Sequence, residues 1–136
     1  MGSKQLKNGN RDETIVVDLF KKHRFWAHNF AKDSSGAQPV DVIAIRKNES
    51  WLVDVKNVRK EDVSFPFSRI EANQLTCMDY ARNWSGIENL GFVICFERSE
   101  LKPLFLSYDK YLEMSQNGCK SVKMTDLEEL EGYLKC

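Results

Sequence analysis

The sequence of 136 residues has no closely spaced cysteines, no long apolar run and no net charge. Its four cysteines are widely separated and form no Cys-x-x-Cys motif, which argues against a zinc site and against a redox pair. No apolar stretch approaches the roughly 20 residues that a membrane helix needs, and the polar N-terminus does not resemble a secretory signal. Its 20 basic and 20 acidic residues argue against a broad non-specific nucleic-acid surface, although positive charge can still be segregated.

The rest of the composition is that of an ordinary globular protein. Hydrophobic residues make up 42% of the chain and charged residues 29%, and the length suits one domain with a sizeable core. We therefore predict a single domain over residues 1–136, in which the polar residues 1–9 are flexible. The absence of paired cysteines favours a reducing, cytoplasmic compartment.

Hydrophobic periodicity predicts alternating helices and strands. The predicted elements are a helix over 10–22 with Asn10 as its N-cap, a strand over 24–30, a hairpin formed by 38–46 and 51–56, a helix that begins at Ser68 with a capping box to Glu71, strands over 90–96 and 103–108, a helix over 109–117, a short strand over 120–124, and a final helix opened by a capping box at 125–128. This order predicts an α/β fold in which a mixed β-sheet is flanked by helices.

Three charged residues interrupt the apolar hairpin. Asp41 opens its first strand, while Asp54 and Lys56 are two residues apart in its second, so strand alternation places them on one face. Two carboxylates on adjacent strands are hard oxygen ligands that suit Mg²⁺, and a nearby lysine can position a water or stabilise charge. The set indicates metal-assisted hydrolysis of a phosphodiester. The alternative is a structural network of ion pairs.

The same residues resemble the motif of the PD-(D/E)XK nucleases. Pro39-Val40-Asp41 is followed, after about a dozen residues, by Asp54-Val55-Lys56, although one residue separates the proline from the aspartate. The downstream segment from Ser64 to Gln74 resembles a stretch of RecU-type Holliday junction resolvases and their phage-encoded relatives. Further similarity lies in segments 25–28 and 35–39, and the whole resemblance runs from about residue 9 to about residue 96.

The resemblance implies a restriction-endonuclease-like core of the order αβββαβ and a specific activity. A protein of this kind would be a Mg²⁺-dependent endodeoxyribonuclease, with Mn²⁺ as an alternative metal, that resolves Holliday junctions or other branched DNA. It would act as a homodimer in the cytoplasm of a bacterial or phage-infected cell. In this role Asp41 and Asp54 would ligate the metal, and Lys56 would position the nucleophilic water.

Two further residues have both a structural and a catalytic interpretation. Glu13 lies near the inner face of the first predicted helix, where Asp12 and Glu13 are favoured by the helix dipole. The catalytic interpretation makes Glu13 a third acid that supports the metal shell. Gln74 falls between Ile70 and Met78 on the buried face of its helix, so it needs polar partners. The resemblance implies that Gln74 orients a ligand at the site.

Contacts with DNA are predicted for a set of polar residues near the motif, namely Arg24, His28, Ser35, Gln38, Arg59 and Lys60. Each also has an ordinary interpretation as a solvated charge, a loop residue or a packed histidine. A second class of function also remains open, because a nuclease-like fold can serve as a non-catalytic DNA-binding or regulatory protein. The neutral net charge favours that alternative, whereas the complete set of Asp41, Asp54 and Lys56 argues against it.

Overall fold

A six-stranded β-sheet with helices on both faces forms the centre of the molecule. The computed structural model describes residues 2–30, 40–100 and 102–135. The helices are α1 (Gly2–Lys22), α2 (Ala72–Trp84), α3 (Tyr108–Gln116) and α4 (Leu130–Leu134). The strands are β1 (Trp26–Asn29), β2 (Val42–Arg46), β3 (Glu49–Val58), β4 (Ser64–Pro66), β5 (Asn89–Phe96), β6 (Pro103–Ser107), β7 (Ser121–Lys123) and β8 (Glu128–Glu129). None of the helices described is long and apolar enough to cross a membrane.

The large sheet has the order β1-β2-β3-β5-β6-β8 and is antiparallel except between β3 and β5. A parallel pair needs a crossover connection, and the segment that contains α2 provides it. Strand β5 was predicted to be central; it has a neighbour on each side and is buried along nearly its whole length. The predicted fold class, a mixed sheet flanked by helices, is confirmed.

Successive residues of β5 point into two separate cores, because side chains alternate along a strand. Phe92 and Ile94 pack with Met78 of α2, whereas Val93 packs with Phe20 of α1. In the parallel register, Asp54 aligns with Phe92 and Lys56 aligns with Ile94. Aligned residues of neighbouring strands share a face, so both charged side chains of β3 lie on the α2 face of the sheet.

Helix α1 begins at Gly2, which is earlier than the predicted start at Asn10. No proline interrupts the sequence between these positions, so nothing in the backbone stops the helix there. Asn10 is therefore not the N-cap. Asp12 and Glu13 lie inside the helix rather than in its first turn, and the prediction that the helix dipole explains them is wrong.

Helix α2 begins at Ala72, so the capping box predicted for Ser68 and Glu71 is also wrong. Residues Phe67–Arg69 form a 3₁₀ helix after the extended Pro66 instead. Glu71 is the N-cap residue, and its backbone N–H donates to Gln74 Oε1 over 3.0 Å. The reciprocal cap thus begins three residues later than predicted.

The C-terminal part of the chain differs from the prediction in two ways. Residues Met124–Asp126 form a 3₁₀ helix, and Glu128–Glu129 then pair with β6, so the final helix begins at Leu130 rather than at the predicted capping box. Strands β4 and β7 form a small second sheet, in which Phe65 aligns with Val122 and both are buried. Strand β4 was not predicted, because it is only three residues long and its partner is distant in sequence.

Gly91 allows β5 and β6 to approach closely. A Cβ atom at this position would lie 2.3 Å from Leu106 O and 2.9 Å from Ser107 Cα, both in the backbone of the paired strand. No side-chain rotation can relieve such a clash. We expect Gly91→Ala to lower the Tm by about 5–10 °C in differential scanning calorimetry, because overpacking costs ~1–3 kcal/mol. Gly132→Ala is the control, since nothing lies within 4 Å of its Cβ position. Equal Tm values for the two variants would contradict the proposed clash.

Candidate functional site

The hairpin formed by β2 and β3 brings Asp41 next to Asp54. Asp41 N donates to Val53 O over 3.0 Å, and Val55 N donates to Asp41 Oδ2 over 2.8 Å. Asp41 is therefore bound to the residues on both sides of Asp54. Both carboxylates are buried, with exposed fractions of 7% for Asp41 and 2% for Asp54. The two predicted metal ligands thus lie together in the interior.

The environment of Asp54 disfavours its charged form. Burial raises the pKa of Asp54, and so do the hydrogen bond with Asp41 and the charge of Asp41, whereas Lys56 lowers it. Two carboxyl groups that share a site do not both ionise readily without compensating positive charge. This pair is therefore suited to exchange a proton for a cation.

The surroundings of Asp54 Oδ2 indicate whether a metal suits the site. It is buried and makes no hydrogen bond within the described part of the chain, although Lys56 Nζ lies 3.0 Å away. The ammonium group is close enough for an ion pair, but it directs hydrogen bonds to Arg69 O at 3.1 Å and Gln74 Oε1 at 3.2 Å. A buried carboxylate oxygen whose ammonium partner is shared with two other acceptors is a ligand available to a hard cation.

Two side-chain carboxylates converge at this point rather than three. Across residues 2–30, 40–100 and 102–135, no group of three or more His, Cys, Asp or Glu side chains is placed to hold a metal. Mg²⁺ commonly uses one or two carboxylates and completes its shell with waters and phosphate oxygens, so Asp41 and Asp54 fit this ion. Glu13 is buried on α1 with 5% exposed, and its part in the metal shell stays a prediction.

Gln74 has the polar partners that its buried position requires. Its Oε1 accepts hydrogen bonds from Glu71 N at 3.0 Å and from Lys56 Nζ at 3.2 Å. One side chain therefore caps α2 and restrains the lysine. The buried polar character of Gln74 was predicted from its helical position, whereas the identity of its partners was not.

Asp12 is a buried acid, although its sequence position predicted a place in the first turn of a helix. It is 1% exposed and accepts hydrogen bonds from Asn57 Nδ2 at 2.7 Å and from Arg11 Nε at 3.4 Å. Burial raises the pKa of Asp12, and the bond from Asn57 lowers it. The contact with Asn57 joins α1 to β3 just beyond Lys56. In the sequence, this contact between Asp12 and Asn57 is indicated only by the position of Asn57 directly after Lys56 in β3.

Arg69 is a residue at the site that the sequence pattern did not indicate. Its carbonyl oxygen accepts the hydrogen bond from Lys56, and its Nη1 donates to Asn57 O over 2.6 Å. Arg69 lies within the segment from Ser64 to Gln74 on which the family resemblance rests. Its charge alone did not distinguish it from the other exposed basic residues.

The predicted DNA-contact residues that the structure describes are exposed. Arg24 follows α1, and His28 lies on the edge strand β1, where its ring stacks on Trp26 with centroids 6.1 Å apart. Arg59 and Lys60 lie in the connection after β3. Ser35 and Gln38 lie outside the described residues. Contact with DNA stays a prediction for all six residues.

Comparison with known proteins gives a match in structure but none in sequence. No family model matches the chain, and no curated protein matches it significantly. The fold is similar to that of Hjc from the archaeal hyperthermophile Archaeoglobus fulgidus, which is a Holliday junction resolvase. The TM-score is 0.65 at 17% sequence identity, and the match covers 93% of this chain and 100% of the archaeal one. The chain therefore has the nuclease-like fold of that resolvase.

Proposed function

We propose that the chain is a metal-dependent endodeoxyribonuclease that cuts branched DNA, with the Holliday junction as its first candidate substrate. The observation that carries the proposal is that Asp41, the buried Asp54 and Lys56 converge, with Lys56 Nζ 3.0 Å from Asp54 Oδ2. Two acids and a lysine on one sheet face supply oxygen ligands for a divalent cation and a positive charge for the hydrolysis of a phosphodiester.

In this proposal Asp41 and Asp54 hold Mg²⁺ or Mn²⁺, and Glu13 supports the metal shell. Bound there, the cation would lower the pKa of a water and offset the charge of the phosphate. The raised pKa of Asp54 means that the cation competes with a proton for this site. Metal binding should therefore strengthen as pH rises.

Lys56 is held in one place by its neighbours rather than left mobile. Its ammonium group contacts Asp54 Oδ2, Arg69 O and Gln74 Oε1 at 3.0–3.2 Å. A positioned ammonium group can orient the attacking water and stabilise negative charge that develops on the phosphate. Gln74 serves this role by fixing the lysine.

The preference for branched DNA is supported by the resemblance in sequence and by the fold shared with the archaeal resolvase, whereas the RecU-type assignment rests on the resemblance in sequence alone. A symmetric junction has two strands to cut, so we also propose a homodimer. Tyr80 and Trp84 lie one turn apart on α2 and are 63% and 79% exposed, which suits a surface for self-association. The DNA would be that of a bacterial or phage-infected cell.

A cleavage assay on defined DNAs tests the proposal. We expect a synthetic four-way junction to be nicked symmetrically in Mg²⁺ or Mn²⁺, with matched linear duplex and single strand cut more slowly and no cutting in EDTA. The products are separated on denaturing gels. Analytical ultracentrifugation with and without the junction measures the oligomeric state.

Each alternative predicts a different result in the same assay. Equal cutting of all DNAs would retain the nuclease and remove the preference for branches. Binding of DNA without cutting in any metal, and with no specific metal binding by calorimetry, would favour the non-catalytic DNA-binding or regulatory protein.

A further inference from the structure

Arg69 makes two hydrogen bonds with strand β3. Its carbonyl oxygen accepts from Lys56 Nζ at 3.1 Å, and its guanidinium Nη1 donates to Asn57 O at 2.6 Å. These partners are consecutive residues of β3. Arg69 is also the last residue of the 3₁₀ helix Phe67–Arg69, and Phe67 at the start of that helix is buried. The backbone of Arg69 is therefore held both by β3 and by the packing of Phe67.

The guanidinium group of Arg69 is held against a rigid surface while donors remain free. It lies over the ring of Phe65, 5.4 Å from the centroid, and Phe65 is fully buried. A guanidinium has five N–H donors, and the bond to Asn57 O uses one of them. Within the described part of the chain, no carboxylate forms an ion pair with Arg69, and the residue is exposed. The remaining four donors make no hydrogen bond to the described residues, so they are open to a ligand beside the site.

The charges around Arg69 favour an anion at this place. Burial lowers the pKa of Arg69; the charges of Asp54 and Asp62 raise it, and the charge of Arg59 lowers it. Arg59 and Arg69 therefore repel each other beside the two buried acids, and the exposed Asp62 offsets part of that repulsion. An anion between these arginines would relieve the repulsion, and Arg forms paired hydrogen bonds with phosphate oxygens.

We infer that Arg69 binds a phosphate of the DNA strand at the cleavage site, with its free guanidinium donors on a non-bridging oxygen. The inference rests on the proposed nuclease function and adds a substrate-binding residue to it. In this inference the positive charge of Arg59 attracts the same phosphate without a fixed hydrogen bond. Lys56 and Arg69 would then act on the same phosphate from adjoining positions.

The side chain of Arg69 can be changed without releasing Lys56. The lysine donates to the main-chain carbonyl of residue 69, which every substitution retains. A variant at this position therefore separates phosphate binding from placement of the lysine. Arg69→Gln retains an amide that can donate to Asn57 O, so it serves as a second variant if Arg69→Ala is poorly folded.

The test compares Arg69→Ala, Arg69→Gln and Arg69→Lys with Lys47→Ala. Lys47 is exposed in the turn before β3, at the opposite end of that strand from Lys56. Single-turnover cutting of the four-way junction in Mg²⁺ should fall about 10²-fold for the alanine and glutamine variants. Arg69→Lys should recover only part of this loss, because a lysine lacks the planar fork. The slope of log binding constant against log salt in EDTA should decrease by about one for Arg69→Ala.

A phosphate-binding role and a structural role give different results. Phosphate binding is supported if cutting and the salt slope change while the Tm and the affinity for Mg²⁺ stay as in Lys47→Ala. The inference is overturned if Arg69→Ala cuts as fast as Lys47→Ala, or if Mg²⁺ affinity falls in parallel with cutting. If the wild type cuts no DNA, the nuclease proposal fails by itself. The salt dependence of DNA binding then tests the role of Arg69 by itself. If Arg69→Ala leaves the slope of log binding constant against log salt unchanged, phosphate binding by Arg69 is overturned.

Discussion

Replacing Asp54 with Asn is expected to reduce junction cleavage at least about 10³-fold while the protein stays folded. The substitution keeps the shape of the side chain and removes the charge of the buried ligand. Lewis-acid assistance is worth several kcal/mol, and each 1.4 kcal/mol corresponds to a factor of about ten in rate. Single-turnover kinetics in Mg²⁺ and a circular dichroism spectrum measure the two parts of this prediction.

The same variant should be more stable than the wild type when no metal is present at pH 8. The pKa of Asp54 is raised in the folded state, mainly by burial, so the folded chain binds a proton that the unfolded chain has released. The free energy of unfolding of the wild type therefore falls as pH rises from about 4 through the raised pKa of the folded state. The asparagine side chain of the variant does not titrate. Its Tm should therefore exceed that of the wild type by about 4 °C for each kcal/mol by which ionisation of Asp54 lowers the free energy of unfolding of the wild type.

Asp18→Asn is the matched control, because Asp18 is an exposed acid on α1. It should leave the rate of cutting unchanged. Undiminished cutting by Asp54→Asn would show that Asp54 is not a metal ligand. A Tm that rises with pH in the metal-free wild type would contradict the raised pKa.

Lys56→Met should slow junction cleavage by about 10²–10³-fold without weakening Mg²⁺ binding at pH 8. Methionine fills a similar volume but cannot donate to a water or a phosphate. The ammonium group of Lys56 lies 3.0 Å from Asp54 Oδ2, where it competes with a metal for the same oxygen. Its removal therefore takes away a catalytic donor and leaves both carboxylates for the cation. Calorimetric Mg²⁺ titration and single-turnover rates separate these effects.

Lys47→Met serves as the control for Lys56→Met, since it removes a positive charge at the opposite end of β3. A loss of Mg²⁺ affinity as large as the loss of rate would identify Lys56 as a structural partner of Asp54. A rate equal to that of Lys47→Met would remove Lys56 from the reaction.

The central part of the site was predictable because it depends on short-range rules. Alternation along one strand put Asp54 and Lys56 on the same face, and a hairpin with a short turn brought Asp41 alongside them. Gln74 was recognised because a glutamine on the buried face of a helix must have partners. These arguments need only the spacing of neighbouring residues. The hydrogen bonds from Val55 N to Asp41 Oδ2 and from Lys56 Nζ to Gln74 Oε1 agree with them.

Other parts depend on pairings between distant segments, which local patterns do not specify. The small sheet joins Phe65 to Val122, and the position of Asp12 depends on its bond with Asn57. Arg69 was not singled out because its hydrogen bond to Asn57 O appears only when the 3₁₀ turn packs on β3. The start of α1 was placed too late because Asn10 is a good cap residue, and cap preference does not show that a helix must begin there.

The shared acceptor on Gln74 links the proposed catalysis to the integrity of one helical turn. Gln74 Oε1 takes hydrogen bonds from Glu71 N at the start of α2 and from Lys56 Nζ. Helix ends fray with a free energy far below that of global unfolding. When the first turn of α2 opens, the glutamine moves with it and the lysine loses one of its restraints. Activity should therefore disappear on heating before the β-sheet melts, so thermal inactivation of this protein reports on a local transition.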